Sequence, residues 1–173
     1  MSPPDTGMDD DAGPALQVYL LPGLMHCAIT PSIVTTVLGS CVSVCLTDRV
    51  RSVSGINHFI LPCSEGEEAS LRYGNIAIDH LTAAMRRICG PRAPLEAKVF
   101  GGAEVLPIST QGMSVGARNV AAAMARLAHL GIPVVARRTG DKGGMLIKLV
   151  STTGEVLVRP IAPCNPAHQR AGR

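Results

Sequence analysis

A chain of 173 residues with two Tyr, two Phe and no Trp must build its core from aliphatic side chains, and its length suffices for one sizeable core. The net charge of +3 is scattered along the chain, and with so few aromatic rings for base stacking it disfavours nucleic-acid binding. No apolar run approaches the ~20 residues that cross a bilayer, so direct membrane insertion is not expected.

Six cysteines occur in a chain whose first residues are acidic and rich in Pro and Gly. That start is the opposite of a basic, apolar secretion signal, so we expect a cytoplasmic protein with reduced thiols. Residues 1–14 and 163–173 are predicted to be disordered or flexible tails because they are polar or proline-rich. The single predicted domain spans residues 15–162.

Strand patterns dominate the first part of the chain. Residues 16–21 (LQVYLL) and 32–38 (SIVTTVL) are β-patterned and end at Pro22-Gly23 and Gly39-Ser40. Residues 41–46 and 53–61 follow, and the polar stretch between them predicts a hairpin.

Two amphipathic helices are predicted further along the chain. Residues 74–89 carry apolar residues at three- and four-residue steps and stop at Gly90-Pro91. Residues 114–130 repeat the pattern, with Ser114 as N-cap and Gly131 after the C-terminus.

The remaining segments, at residues 97–102, 132–138, 145–151 and 155–161, are rich in β-branched residues and predict strands. The last two are joined by a Thr-Thr-Gly turn. The element order predicts an α/β (α+β) layered sandwich, with mixed, largely antiparallel sheets packed against two main helices.

Cys41 follows Gly39-Ser40 within LGSCVSVCL, where a free cysteine is either a small buried hydrophobe or a nucleophile with a neighbouring base. A hairpin turning between Arg49 and Val50 would place Cys41 opposite His58, with Cβ atoms about 4.5–5.5 Å apart. A charged imidazole there would hold the cysteine as a thiolate near neutral pH. His58 taken alone is equally typical of a satisfied core histidine.

A third polar group usually orients such an imidazole, and both Thr35 and Thr36 are candidates in the preceding strand. Plain β-propensity explains these threonines as well. A metal site is disfavoured, because neither Cys41-x3-Cys45 nor His26-Cys27 has zinc-ligand spacing. A redox pair of Cys41 and Cys45 is disfavoured because such residues lie ~13 Å apart on a strand. No cofactor is expected.

Four sequence blocks resemble, in order, those of the CheD family of chemoreceptor glutamine deamidases. They are TTVLGSCVSVCLTD, GINHFILP, KVFGGAEVLP and SVGARN, the last followed by a helix ending LGIPVVA. With the upstream VYLLPG, the resemblance spans roughly residues 16–160. It implies hydrolysis of glutamine side chains to glutamate in chemoreceptor cytoplasmic domains, and in some members hydrolysis of receptor methyl esters.

The resemblance also implies a Cys-His-Thr triad. Its nucleophile maps onto Cys41 and its base onto His58, and a threonine six residues before the cysteine selects Thr35 over Thr36. The family fold resembles the catalytic domain of glutamine-deamidating toxins, and some members bind the phosphatase CheC.

On this basis Cys41 would attack the glutamine carboxamide and form a thioester. Backbone N–H groups around Ser40 and Cys41 would stabilise the oxyanion. Gly101 and Gly102 would let a substrate helix approach closely, so these two and Ser40 are the candidate substrate-binding residues.

One departure concerns Ile147 and Lys148, which stand where the family usually has a small residue and Arg. Lysine keeps the charge but lacks the planar fork of donors. The alternative function is a non-catalytic chemotaxis adaptor that binds a receptor or a CheC-type phosphatase, with Cys41 merely buried.

Overall fold

The computed structural model of the chain describes residues 14–64, 66, 69–104 and 112–161. The predicted tails at residues 1–14 and 163–173 lie outside the described residues, except for Pro14. The elements within the described residues are β1 Leu16–Tyr19, β2 Leu24–Cys27, β3 Ser32–Leu38, β4 Val42–Asp48, β5 Val53–His58, α1 Gly74–Cys89, β6 Leu95–Gly101, α2 Val115–His129, β7 Val134–Thr139, β8 Met145–Val150 and β9 Glu155–Pro160.

The strands form two sheets. Sheet A has the strand order β1-β3-β8-β9, and sheet B has the order β2-β5-β4-β6-β7. The pairs β1–β3 and β6–β7 are parallel, and the other strand pairs are antiparallel. The prediction of mixed, largely antiparallel sheets is confirmed.

Sheet B is covered on both faces, which explains why no residue of β4 or β5 is exposed. One face packs on sheet A through an inter-sheet layer that includes Val34, Ile56 and Ile147. The other face packs on the two helices, with Leu81 of α1 and Leu127 of α2 in that cluster. The molecule is therefore the predicted α+β layered sandwich, with sheet B in the middle.

Both predicted helices are confirmed, with boundaries that agree to within one residue. Ser114 caps α2, because its side-chain oxygen accepts a hydrogen bond from the Ala117 N–H at 3.1 Å. Gly131 follows the helix with φ of 67°, a conformation that glycine adopts without a steric penalty.

One strand escaped prediction. β2 has only four residues, LMHC, with no alternation of apolar and polar side chains, and it lies at the edge of sheet B against β5. Its conformation comes from that pairing rather than from a local pattern. The segment predicted at 53–61 ends as a strand at His58.

The β4–β5 hairpin forms as predicted, but in a different register. Leu46 stands opposite Gly55 and Asp48 opposite Val53, so each β4 residue pairs two positions later in β5 than predicted and the centre of the turn moves by one residue. The cause is Asp48, whose carboxylate accepts hydrogen bonds from the N–H groups of Val50 and Arg51 and so stabilises a longer turn. A two-residue shift leaves every side chain on its predicted face.

Within the described residues, no helix is both long enough and apolar enough to cross a membrane.

Candidate active site between the two sheets

His58 ends β5, and its ring lies in the inter-sheet layer against Thr36 of β3. Thr36 Oγ1 is 2.8 Å from His58 Nδ1, and both side chains are buried. Thr36 shares its face of β3 with Val34 and Leu38, which line the same layer. This contact therefore joins sheet A to sheet B.

The Thr36 hydroxyl determines which ring nitrogen of His58 carries the proton. Thr36 Oγ1 donates its single proton to the carbonyl oxygen of Leu20 at 2.8 Å. With that proton committed, the hydroxyl oxygen can only accept from His58, so Nδ1 carries the hydrogen and Nε2 keeps its lone pair. Nε2 is buried and has no hydrogen-bond partner among the described residues. The ring is therefore held as a base with one free acceptor nitrogen.

Cys41 lies on the connection that carries the chain from β3 in sheet A to β4 in sheet B. The next residue, Val42, pairs with Phe59 through two backbone hydrogen bonds of 3.1 and 3.0 Å. This register puts Ser43 opposite His58 and makes Cys41 the diagonal neighbour of His58 on the same face. Such diagonal neighbours lie about 7–8 Å apart. Cys41 is half-buried and is not hydrogen-bonded to Nε2, a contact that in many enzymes tightens only when substrate binds.

Burial favours the neutral form of both groups. Burial raises the pKa of the Cys41 thiol, and the residue's own backbone N–H opposes this effect only in part. Burial also lowers the pKa of His58 to about 4, against a smaller opposing effect of the Leu20 carbonyl. Burial therefore disfavours the predicted thiolate–imidazolium pair in the unliganded site. At neutral pH a thiol stands near a neutral imidazole, which must take the proton as the sulfur attacks.

The orienting hydroxyl belongs to Thr36, and not to Thr35 as the family spacing predicts. Thr35 is the preceding residue of β3, so its side chain leaves the opposite face of sheet A. Its ladder neighbours there are Tyr19 and Lys148. One position along a strand decides which face a side chain occupies. The hydroxyl that contacts the imidazole in this structure is therefore that of Thr36, whereas the family spacing predicts Thr35 as the orienting residue.

Gly101 and Gly102 end β6 against the nucleophile loop, which we define as residues 39–41. The Gly102 N–H donates to the Cys41 carbonyl oxygen at 2.8 Å. Gly101 has φ of 102°, and a Cβ on it would collide with that same oxygen. Both glycines are buried. The close backbone approach predicted toward a substrate helix is thus made toward the nucleophile loop, in which Ser40 is half-buried.

The two positions that depart from the family pattern flank the site on different faces of sheet A. Ile147 is the ladder partner of Thr36 and is buried in the inter-sheet layer. Lys148 pairs with Thr35 and is exposed on the outer face. The lysine charge therefore lies on the far side of the sheet from the ring of His58.

Cys45 shares the inter-sheet face with Cys41 but is fully buried, and burial raises its thiol pKa to about 12. It is therefore an inert core residue. Across the part of the chain that the structure describes, no group of three or more His, Cys, Asp or Glu side chains is arranged to hold a metal ion.

Two components of the site were missed in the sequence. The Leu20 carbonyl carries no sequence signal, because it is a backbone atom positioned by the end of β1. Asn119 of α2 is fully buried and donates hydrogen bonds to two carbonyl oxygens beside Cys41 and His58. The sequence did offer a sign of Asn119. It is the last residue of the SVGARN block, and it is a polar residue on a helix face that is otherwise apolar.

Comparisons with known proteins agree with the sequence blocks. The family model described as "CheD chemotactic sensory transduction" matches residues 60–160. A protein of Rhodospirillum rubrum named "Probable chemoreceptor glutamine deamidase CheD" is 50% identical over 143 residues, covering 83% of this chain and 81% of its own length. A protein of the same name from Trichlorobacter lovleyi is 40% identical over 151 residues, covering 87% and 94%. The "CheD 1" protein of Anaeromyxobacter dehalogenans is 39% identical over 158 residues, covering 91% and 92%. The chain therefore belongs to the CheD family.

Proposed function

We propose that this protein is a glutamine deamidase that converts glutamine side chains of chemoreceptor cytoplasmic domains to glutamate. Cys41 is the nucleophile and His58 the base, and Thr36 together with the Leu20 carbonyl orients the imidazole. The names of the relatives supply the reaction and substrate class. The observation that carries the proposal for the residues is the pair of contacts at Thr36 Oγ1, to the Leu20 carbonyl and to His58 Nδ1. They leave Nε2 as the ring nitrogen without a partner among the described residues, in the layer that Cys41 borders.

The first half of the reaction forms a thioester. The Cys41 sulfur attacks the carboxamide carbon while His58 Nε2 takes the thiol proton, and the carbonyl oxygen becomes an oxyanion. When the C–N bond breaks, the nitrogen receives the proton from Nε2 and leaves as ammonia. Both proton transfers use one nitrogen of one ring, so the orientation of that ring controls both.

The second half releases the product. Nε2 takes a proton from water, the resulting hydroxide attacks the thioester carbon, and the C–S bond breaks. Nε2 then returns its proton to the leaving sulfur, which restores the Cys41 thiol and the neutral imidazole and releases the glutamate side chain. The neutral resting pair suits this cycle. A base whose pKa lies well below 7 is unprotonated at neutral pH and needs no prior deprotonation.

The test is conversion of Gln to Glu in purified chemoreceptor cytoplasmic fragments, read by mass spectrometry. Cys41→Ala and His58→Gln should abolish conversion. Cys45→Ala is the matched control, because it removes a thiol from the same face of β4 and should retain activity. Absence of conversion by folded wild-type protein with several receptors would refute the proposal.

The same experiment separates the enzyme from the adaptor. An adaptor would bind the receptor fragment equally well with and without the Cys41→Ala substitution, and neither form would release ammonia. Methyl-ester hydrolysis through the same thioester, and binding of a CheC-type phosphatase, are further expectations of the family resemblance. A cytoplasmic location is a further expectation, because the proposed substrate is the cytoplasmic domain of a receptor.

A further inference from the structure

Asn119 ties the nucleophile segment to the segment that carries the base. Its side-chain nitrogen donates one hydrogen bond to the Ser40 carbonyl at 2.9 Å and another to the Ile60 carbonyl at 2.8 Å. Because both partners are acceptors, the amide fits only with its NH2 group toward them. Ser40 directly precedes Cys41, and Ile60 follows His58 by two residues. One fully buried side chain therefore fixes both segments against α2.

The carbonyls on either side of Ser40 are held as well. Gly39 accepts from the Ala103 N–H at 2.8 Å, and Cys41 accepts from the Gly102 N–H at 2.8 Å. Each carbonyl of the nucleophile loop is thus bonded to a neighbouring element. Only the middle one, the Ser40 carbonyl whose peptide carries the Cys41 N–H, is held by a side chain.

These contacts fix where the N–H groups of the loop point. In a planar trans peptide the C=O and the N–H point in opposite directions. The Cys41 N–H therefore points away from Asn119, and the Ser40 N–H points away from Ala103. Among the described residues, neither N–H donates to a backbone carbonyl. The Cys41 N–H and the sulfur belong to the same residue, so this donor stands beside any acyl group formed on the sulfur.

We propose that Asn119 is the positioning residue of the oxyanion hole: by holding the Ser40 carbonyl it aims the Cys41 N–H, beside that of Ser40, at the oxygen of the acyl group on Cys41. The inference rests on the proposed function only in taking Cys41 as the residue that is acylated. Asn119 does not touch the substrate and acts through the peptide that it orients. Removing one direct oxyanion donor costs about 10²–10³ in rate, so misaligning it should cost less.

The test compares two reactions of Cys41 that differ in their need for an oxyanion hole. Acylation by p-nitrophenyl acetate passes through a tetrahedral oxyanion: the S–C bond forms, the ester C–O bond breaks, and p-nitrophenol leaves. Alkylation by iodoacetamide forms an S–C bond and expels iodide without any oxyanion. Both rates are followed on the Cys41 peptide by mass spectrometry, and the ratio of acylation to alkylation is the readout.

Asn119→Leu should lower this ratio by about 10- to 100-fold, short of the loss on deleting a donor outright. Ala123→Gly is the matched control, because it weakens the same helix at a buried position without touching the nucleophile loop, and it should leave the ratio unchanged. Should Asn119→Leu not fold, Asn119→Ser takes the same test, since it leaves room for water to satisfy the carbonyls.

An unchanged ratio in a folded Asn119 variant would overturn the inference, and so would equal losses in both rates, which would mean that Asn119 merely supports the cysteine. Wild-type protein is assayed in parallel for receptor deamidation. A ratio that falls in the variant while the wild type deamidates nothing would refute the proposed function and leave the inference standing. If the wild type deamidates the receptor and the ratio of acylation to alkylation is unchanged in the Asn119 variant, the proposed function stands and the inference about Asn119 is refuted.

Discussion

Replacing Thr36 by valine tests the orientation of the base most directly, because valine keeps the shape of the side chain and deletes only the hydroxyl. That hydroxyl bonds both the Leu20 carbonyl and His58 Nδ1 in a fully buried setting. Leaving a buried polar group unpaired costs about 1–3 kcal/mol, so orphaning two should lower the free energy of unfolding by about 2–6 kcal/mol. Without the hydroxyl the ring no longer has a fixed tautomer. If the loss of the hydroxyl raises the activation free energy of the reaction by about 2–3 kcal/mol, kcat drops by about 30- to 150-fold.

Two further variants make this prediction sharp. Thr36→Ser keeps the hydroxyl and should recover most of the activity. Thr35→Val removes the hydroxyl that faces the other side of sheet A, and its kcat should stay close to that of the wild type. The assay is receptor deamidation at saturating substrate, at a temperature where every variant is folded by circular dichroism. Loss of activity in Thr35→Val with retention in Thr36→Val would refute the geometry and restore the family spacing as the guide.

Three other predictions concern pH and backbone. Because the pKa of His58 is about 4, kcat/KM should stay level from pH 8 to pH 5 and fall only near pH 4, and a fall centred near pH 6.5 would contradict the buried neutral base. Since the unfolded chain binds a proton at His58 below about pH 6.5, the free energy of unfolding should decrease as pH falls from 6.5 to 4, by about 3 kcal/mol at about 1.4 kcal/mol per pH unit. Denaturation of His58→Gln should lack this loss, whereas His80→Gln, at an exposed position, should keep it. Gly101→Ala and Gly90→Ala place alanine at nearly the same positive φ, but only the former meets the Cys41 carbonyl. Both should lower stability by about 1–3 kcal/mol and only Gly101→Ala should lower activity, so equal activities would argue against a tightly held loop.

The sequence specified the secondary structure well because the local signals were strong. Ser114 and Gly131 bracket α2 as capping chemistry requires, and the run SIVTTVL, ended by Gly39-Ser40, predicted the bounds of β3 to the residue. Pairing was less predictable, since the turn after β4 depends on a carboxylate, that of Asp48, whose role is visible only once its partners are placed.

The part of the site formed by residues close together along the chain could be predicted from the sequence. The part formed by contacts between the two sheets was harder to predict. Cys41 and His58 belong to one hairpin, so even a shifted register left them on one face. The choice between Thr35 and Thr36 depends on which face of sheet A looks toward sheet B, and both strand patterns fit either answer. The protonation state also depended on burial of His58 between the sheets, which a spacing rule cannot supply.

The hydrogen bond between Thr36 and His58 joins one sheet to the other, so its length depends on the distance between the two sheets. That gap is maintained by side chains such as Val34, Ile56 and Ile147, which fill the layer at crystal-like density and transmit small displacements. A change of a fraction of an ångström in the thickness of the layer would stretch the bond to the imidazole and also strain the loop of Cys41, which connects the two sheets. Deamidation would then respond to any event that wedges the sheets apart, however far from the cysteine it acts.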